Sequence, residues 1–556
     1  MVKRIFKVFS REISGLHQAA YLLAFFSFLS QILALVRDRL FAASFGASHT
    51  LDLYYAAFRI PDFIYVSVAS MVSISVLIPF FMERIEKDKA EAKKYIDNLF
   101  SAFFLIITSV SIIAYILTPA LIRLMYPQFT VDHEIIITLT RILLLSPILL
   151  GISNFLASIT QIFRRFFIYA LSPILYNIGI ICGVIFLYPT LGIKGVVFGV
   201  ILGGLLHVGV QVPFVVSRGF FPRIIFRINW RSIRQVLILS LPRTITISSN
   251  EIAELFIISL ASILSAGSIS IFSLSFNLQS VPLSIIGVSY ALAAFPILTK
   301  LFTNKEETKF AEHMIMVSKH IIFWAMPVTI LFIVLRAQIV RVLFGTGNFG
   351  WTDTRLTAAA LAIFAVALVP QALTMLFVRA YYSRGDTWKP LAMNIFSALI
   401  IIVSSFGFVK LYGYWDAFRY FIESLMKVVD VPGGAVLMLP LGYSLGTIVN
   451  TILHWIAFEI DFRGFSRAVF GTFFQTFVSS VLMGFASYNI LNILGSVFNL
   501  NTFTGIFAQG FIAGIVGIGV GIFALLLLGN IEVKEIWKAL HRRIWGVEII
   551  GPDPKL

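Results

Sequence analysis

The chain has 556 residues, of which 59% are hydrophobic and only 13% charged, whereas an average soluble domain carries about 25% charged residues. This composition excludes an ordinary soluble globular protein, and at about 20 apolar residues a span the length allows a dozen or more membrane helices. The net charge of +16 is compatible with either nucleic acid or a membrane surface as partner. The single cysteine, Cys182, excludes a disulfide framework and a cysteine-rich metal site.

Apolar runs of span length predict an all-α polytopic membrane protein with about fourteen transmembrane helices. A basic amphipathic segment, residues 1–17, precedes them, and we expect it to be retained because no small-residue cleavage site follows. The first six helices are predicted at about 18–44, 53–82, 98–122, 135–162, 167–188 and 193–216. The others are predicted at about 234–263, 268–299, 317–335, 356–382, 389–409, 437–459, 468–492 and 503–528.

Lysine and arginine fall almost entirely in every second loop. The side that holds the N-terminus receives the basic residues of 84–94, of a linker at 217–233 and of the tail at 529–556, while the opposite side receives few. Because cytoplasmic loops carry the excess of basic residues, this alternation predicts an even number of helices with both termini cytoplasmic. It also assigns the net charge to an anionic membrane surface and not to nucleic acid.

Short motifs recur at a nearly constant distance along the chain. Pro173 and Asn177 recur 217 residues later as Pro390 and Asn394, which predicts a duplicated six-helix unit. Since six is even, both copies have the same orientation in the membrane. We therefore predict an N-lobe over 18–216 and a C-lobe over 234–459, with the last two helices, 468–528, outside the duplication.

The distance between copies increases towards the end of the second copy. Gly199 and Gly203 recur as Gly442 and Gly446, 243 residues later. The extra residues predict an aromatic, amphipathic insertion at about 411–436 on the outer side of the C-lobe.

Several ionisable residues fall inside predicted spans, where they are costly and usually face a wet interior. Helix 1 contains Arg37 and Asp38, and helix 2 contains Arg59 and Asp62. Helix 7 contains Arg243 followed by Glu251 and Glu254, which lie three residues apart on one face. Such a carboxylate pair binds a cation or shares a proton; alternatively, the glutamates only form ion pairs with basic neighbours. Uncharged candidates for the same cavity are Gln31, Tyr65 and Asn277.

No enzymatic motif accompanies these charges: the chain lacks His-Glu-x-x-His, a phosphate-binding Gly-Lys-Ser/Thr loop and Gly-x-Ser-x-Gly. We therefore predict a protein that is not an enzyme and binds no cofactor or metal. Two parallel six-helix lobes are typical of transporters that work by alternating access, with the substrate site between the lobes. A non-transporting membrane scaffold is the alternative for the same architecture.

The segments RDRLFAASFGAS, RFFIYALSPILYN, GVSYALAAFPILTK, VLFGTGNFGWTDT and YYSRGDTWKP resemble, in order and spacing, the lipid II flippase family MurJ (MviN). This family belongs to the multidrug/oligosaccharidyl-lipid/polysaccharide exporter superfamily. The resemblance implies a multi-pass protein of the bacterial inner membrane that moves a polyprenyl-diphosphate-linked peptidoglycan precursor to the outer leaflet. It further implies that helices 13 and 14 form a groove for the lipid tail, with membrane lipid and the cell-wall synthesis machinery as further partners.

The resemblance also assigns residues. Arg37, Asp38, Asp52 and Arg59 match family positions near helices 1 and 2, and arginines of this cavity suit a diphosphate because they donate bidentate hydrogen bonds. Three family arginines are replaced here, by Gln31, Tyr65 and Asn277, and Arg243 could restore one positive charge. Some relatives couple transport to sodium or membrane potential; a proton is a further option, and the candidate coupling residues, by position, are Glu251, Glu254 and Asn394.

The replaced arginines and the acidic helix 7 leave a second transport function open. An exporter of another lipid-linked oligosaccharide, or of an amphipathic cation, would fit a cavity with fewer anion-binding groups.

Overall fold

The computed structural model describes residues 16–69, 88–163 and 165–534, apart from the side chains of 16–21 and of several residues within 69–243. In these ranges the regular secondary structure is helical, and fourteen long helices follow one another. The predicted fold class, all-α with about fourteen helices, is confirmed. The N-terminal segment 1–15, the end of the second predicted helix and the tail from 535 lie outside the described residues.

The first six helices are α1 (Leu16–Phe45), α2 (His49–Ala69), α3 (Lys89–Met125), α4 (His133–Ile162), α5 (Phe166–Leu191) and α6 (Ile193–Ser217). The next six are α7 (Trp230–Ser262), α8 (Ser268–Thr303), α9 (Glu307–Val334), α10 (Trp351–Val366 and Leu368–Ser383), α11 (Trp388–Tyr414) and α12 (Gly434–Asp461). The last two are α13 (Phe465–Gly495) and α14 (Phe503–Leu527). Short helices, Arg336–Phe344 and Asp416–Met426, follow α9 and α11.

Length and hydropathy agree with membrane crossing for most of these helices. Eleven described helices are long and apolar enough, among them the Thr244–Ser262 part of α7, and α10 makes a twelfth if its two pieces form one span. The pieces of α10 meet at 44°, and Pro370 explains the break because its ring nitrogen cannot donate to the carbonyl of Val366. The remaining two, α1 and α2, carry predicted site residues.

The third helix begins earlier than its apolar run. It starts at Lys89, where the sequence predicts about residue 98, because the side chain of Asp88 accepts a hydrogen bond of 3.0 Å from the backbone N–H of Ala90. A side-chain cap of this kind satisfies an N–H group that has no partner inside the helix. The charged residues 89–94 therefore belong to the helix.

Glycines bring α5 and α6 into close contact. A Cβ atom at Gly199 of α6 would lie 2.5 Å from Cα of Gly183 on α5, and one at Gly203 would lie 2.5 Å from the carbonyl oxygen of Tyr176. Small residues at four-residue spacing allow two helix backbones to approach in this way.

The described residues form two compact units. Unit 1 comprises the chain up to Leu278 together with Leu343–Ala360 and Thr387–Gly446; unit 2 comprises Gln279–Val342, Leu361–Asp386 and the chain from Thr447. In unit 1, α1 packs on α5, and α7 packs on both α2 and α11. In unit 2, α13 packs on α9 and α14. The division of the chain into an N-lobe and a C-lobe stays a prediction.

The core of unit 2 lies between α9, the second piece of α10 and the end of α12. Phe310, Ile321, Leu376 and Phe458 are buried in it. Between α13 and α14 the hydroxyl of Ser479 donates to a carbonyl oxygen of the facing helix, 2.7 Å away. This pairing satisfies a hydroxyl that would be costly in lipid.

Candidate transport site

Arg37, Asp38 and Asn277 form one hydrogen-bonded network in unit 1. The Arg37 guanidinium on α1 donates twice to Oδ1 of Asp38, at 2.8 and 2.9 Å, and once to Oδ1 of Asn177 on α5, at 3.2 Å. Nδ2 of Asn277 on α8 donates to Oδ2 of Asp38 at 3.0 Å. Both oxygens of the buried Asp38 carboxylate are therefore engaged, and the network joins α1, α5 and α8. Asn277 supplies this carboxylate with a neutral donor.

A second charged contact lies between α2 and α7. Nη1 of Arg59 donates to Oε1 of Glu254, and both side chains are largely buried. For Glu254, the ion-pair interpretation of the helix 7 glutamates is thus the one that the structure shows. Nε of Arg59 is buried and has no hydrogen-bond partner among the described residues.

Two further carboxylates surround this ion pair. Glu251, one turn before Glu254, and Asp62 on α2 both interact electrostatically with Arg59. Within the described residues, neither carboxylate accepts a hydrogen bond. Asp62 is not among the predicted site residues, although the sequence shows it as a second charge of helix 2, three residues after Arg59 and on the same face.

The other predicted polar residues have separate surroundings. The Tyr65 hydroxyl accepts a hydrogen bond of 2.7 Å from Nδ2 of Asn154 on α4. Gln31 is half-buried on α1, about 9 Å before Arg37 along the helix axis. Arg243 lies in α7, but its side chain is outside the described part of the chain.

Asn394 makes the same local contact as its predicted counterpart in the first copy. Its Nδ2 donates to the carbonyl oxygen of Pro390 at 2.7 Å, and Nδ2 of Asn177 donates to that of Pro173 at 3.1 Å. Asn394 is buried on α11, the helix that packs on α7.

Asp52 lies away from the Arg37 network, in the first turn of α2. Its carboxylate, 2% exposed, accepts hydrogen bonds from the backbone N–H of Gly267 at 2.6 Å and from the N–H and hydroxyl of Ser270 at 2.7 and 2.6 Å. These groups form the N-terminus of α8, where unpaired N–H groups and the helix dipole favour an anion. Asp52 thereby caps a helix of the predicted C-lobe from a helix of the predicted N-lobe.

We call the contact between Asp52 and the N-terminus of α8, together with the contacts beside it, the Asp52 junction. Contacts of Asn348 with the α1–α2 turn extend it. Asn348 donates through its backbone N–H to the carbonyl oxygen of Ala43 at 3.0 Å and through Nδ2 to that of Ser44 at 2.7 Å. A Cβ atom at Gly46 would lie 2.5 Å from the carbonyl oxygen of Asn348, and Gly46 has φ +67°. Only glycine suits both the approach and the backbone conformation.

These contacts are made by FAASFGAS and GTGNFG, which are parts of two of the segments that carry the family resemblance. Together with Asp52, they hold the α1–α2 turn against the loops before α8 and α10. Within the described ranges, no three side chains among His, Cys, Asp and Glu are placed to hold a metal ion.

A family model described as lipid II flippase MurJ matches residues 41–509. This chain belongs to the MurJ family. A probable lipid II flippase MurJ of Rickettsia prowazekii (strain Madrid E) is 27% identical over 395 residues, which are 69% of this chain and 76% of that protein.

The fold agrees with that of MurJ. A solved structure described as lipid II flippase MurJ in an inward closed conformation superimposes with a TM-score of 0.70 at 21% identity, over 93% of this chain and 100% of that one. A second solved structure, an inward-facing multidrug resistance transporter of the MATE family and MOP superfamily, superimposes with a TM-score of 0.62 at 16% identity, over 79% of this chain and 96% of that one. These matches confirm the predicted family and superfamily fold. The MurJ family is a family of transporters.

Proposed function

We propose that this protein translocates lipid II, a polyprenyl-diphosphate-linked cell-wall precursor, from the inner to the outer leaflet by alternating access. The observation that carries this is the match to the MurJ family from residue 41 to residue 509, supported by relatives named lipid II flippases. These names favour lipid II over another lipid-linked oligosaccharide, an amphipathic cation or a scaffold role.

The protein is then a multi-pass protein of the bacterial inner membrane. The distribution of Lys and Arg between alternate loops supports cytoplasmic positions for both termini. The lipid-linked glycan and membrane lipid are its immediate partners, and we propose the cell-wall synthesis machinery, which uses the delivered precursor, as a further partner.

The junction around Asp52 serves as the outer gate in this proposal. It lies at ends of α1, α2, α7 and α8 that the loop charges assign to the outer side. Opening it requires the N-terminus of α8 to lose its cap and Asn348 to leave the α1–α2 turn. Water entering the opened gate can solvate these groups, so the exchange is reversible at modest cost.

The head group is proposed to bind at the two arginine contacts. In this conformation Arg37 is held by Asp38 and Asn177, and Arg59 by Glu254. A diphosphate competes with these carboxylates because it offers the guanidinium groups several charged oxygens. Arg243 is a proposed third cation of the cavity.

Binding of an anion at Arg59 would leave Glu254 without its partner, beside Glu251 and Asp62. An uncompensated buried charge is strongly unfavourable. We therefore propose that a sodium ion or a proton joins these carboxylates during the cycle, with Asn394 on the neighbouring helix contributing to coupling. Membrane potential would then act on the bound charge.

Complementation tests the cargo. A strain depleted of its own lipid II flippase should stop accumulating lipid II in the inner leaflet when this chain is expressed. An Asp38→Asn variant should fail to rescue, because it keeps the shape but loses the charge that orients Arg37. Lack of rescue by an unmodified chain that is shown to be inserted and folded would contradict lipid II as the cargo.

Whether a cation is coupled can be measured on the reconstituted protein. Transport should depend on a sodium or proton gradient, and Glu251→Gln should abolish that dependence. Transport that is indifferent to both gradients would contradict coupling through the carboxylates but not lipid II as the cargo.

A further inference from the structure

The predicted insertion after α11 folds into the short helix Asp416–Met426. Its inner face is packed: Ile422 is buried, Phe418 lies against the ring of Phe408 with centroids 6.2 Å apart, and the Tyr412 hydroxyl donates to Oε1 of Glu423 at 2.5 Å. These contacts fix the helix against the end of α11.

The opposite face is apolar and uncovered. Tyr420 is 56%, Phe421 62% and Leu425 55% exposed. Phe421 follows Tyr420 directly and Leu425 lies four residues after Phe421, so the three side chains lie on one side of the helix. At the start of the helix, Tyr414 and Trp415 are 93% and 55% exposed. Large exposed aromatic groups in a cluster mark a binding surface.

This face continues a stripe of exposed, mostly apolar residues along α11. Along α11, a span by length and hydropathy, the exposed residues Leu399, Val403, Phe406 and Lys410 follow at spacings of three and four and lead directly to Tyr414. The short helix begins two residues after Tyr414, the last residue of that span. A helix of 27 residues is about 40 Å long, which is close to the thickness of a bilayer with its head groups, so the end of α11 and the short helix after it belong at the membrane surface.

Residue types and charge agree with this depth. Tyrosine and tryptophan are enriched where membrane and water meet, and three cations border the face: Lys410, Arg419 and Lys427. The Arg419 guanidinium lies 5.0 Å from the centroid of the Tyr420 ring and is ion-paired with Asp416 at 2.9 Å. Basic groups at this level attract the phosphates of lipids.

The size of the face favours lipid over protein. A helix of 11 residues is about 16 Å long and about 10 Å wide. One side of it is far smaller than the roughly 800 Å² that each partner contributes to a stable protein interface.

We propose that the helix Asp416–Met426 is an interfacial anchor that inserts Tyr420, Phe421 and Leu425 into the lipid bilayer at the end of α11. Amphipathic helices of this type place their apolar face about 5 to 10 Å below the head groups. The anchor also fixes neighbouring structure, since Nη2 of Arg355 at the start of α10 donates to the carbonyl oxygen of Lys427 at 2.6 Å. The proposal does not depend on the transported cargo.

Spin-label accessibility of the full chain in liposomes of zwitterionic and anionic phospholipid tests this. In a Cys182→Ala background, single cysteines are introduced at Phe421 and Leu425, at Glu307 as an aqueous reference and at the exposed Phe485 of α13 as a lipid reference. The measured quantity is the ratio of collisions with oxygen to collisions with a water-soluble nickel chelate. We expect this ratio to be several-fold higher for labels at Phe421 and Leu425 than for the label at Glu307. Their values should fall between the two references, at a depth of about 5 to 10 Å.

Two results would overturn the anchor. A nickel accessibility equal to that at Glu307 would mean that the face lies in water. Low accessibility to both oxygen and nickel would mean that protein, either a second copy or another partner, covers it. If one label prevents folding, Tyr420→Cys tests the same face.

Discussion

Asp38 and Asp52 are both buried with both carboxylate oxygens hydrogen-bonded, but their donors differ in kind. Asp38 accepts from the side chains of Arg37 and Asn277, whereas Asp52 accepts mainly from backbone N–H groups of α8. A carboxylate bound to a guanidinium keeps its role only while that cation is present. A carboxylate that caps a helix keeps its role through any change that leaves the helix end in place.

Removing the cap should destabilise the gate. We expect Asp52→Ala to cost about 0.5 to 2 kcal/mol, since it deletes a helix cap, and to lower the midpoint of thermal unfolding in detergent. Asp416→Ala, which removes an exposed carboxylate in the first turn of another helix, is the matched control and should change the midpoint much less. Equal shifts for both variants would show that the cap contributes no special stability.

The Arg59–Glu254 pair should behave as a buried ion pair. Arg59→Met alone should lose about 3 to 5 kcal/mol, because it leaves Glu254 without its cation. Glu254→Leu alone should lose less, because Glu251 and Asp62 still interact with Arg59. The double variant should be more stable than either single variant but inactive in transport. Thermal unfolding gives the first result and complementation the second; additive losses, or a transporting double variant, would remove the pair from the site.

At the scale of elements, the sequence predicts the positions of the helices well but gives little information on which helices pack against one another. Apolar runs and charged loops predict fourteen helices because each span needs an apolar surface of membrane length and must pair its own backbone hydrogen-bonding groups. The error at α3 arises because hydropathy does not report the cap by Asp88. The two Pro–Asn pairs make the same contact, from the Asn side chain to the Pro carbonyl oxygen, because a local motif produces a local hydrogen bond.

The site is less predictable for a physical reason. Glu254 meets Arg59 across 195 residues of chain and Asp52 meets Ser270 across 218, so no local pattern records either contact. The sequence alone identified Arg37, Asp38 and the glutamates as costly charges in spans. It could not decide between a cation site and an ion pair for Glu254, nor place Asp52 at a helix end.

The packing of α5 on α6 gives a prediction with a control in the same helix. Gly199→Ala should cost about 1 to 3 kcal/mol, because the added methyl meets the backbone of Gly183 and overpacks the contact. Gly209→Ala should be neutral or slightly stabilising, because the added Cβ would meet no atom of a neighbouring element within 4 Å. Thermal unfolding of the two variants compares them directly; similar midpoints would contradict close packing at Gly199.

For the whole molecule, the proposed outer gate predicts that Asn348 and the α1–α2 turn separate during transport. With Cys182 replaced by alanine, a cross-link between Ser44→Cys and Asn348→Cys should hold the gate closed and stop transport, and reduction should restore it. Each single-cysteine variant treated with the same reagent should remain active. Undiminished transport after complete cross-linking would show that this junction does not open.

The cap on α8 also has an evolutionary consequence. Two of the three donors to Asp52 are main-chain groups, so most residues around 263–270 can change type without weakening the contact. The exceptions are Ser270, whose hydroxyl is the third donor, and Gly267, where a Cβ atom would lie 2.2 Å from the carbonyl oxygen of Ala47. We therefore expect little correlated substitution between Asp52 and the loop it binds. Second-site suppressors of Asp52 variants should arise elsewhere, at positions that shift the balance between closed and open states.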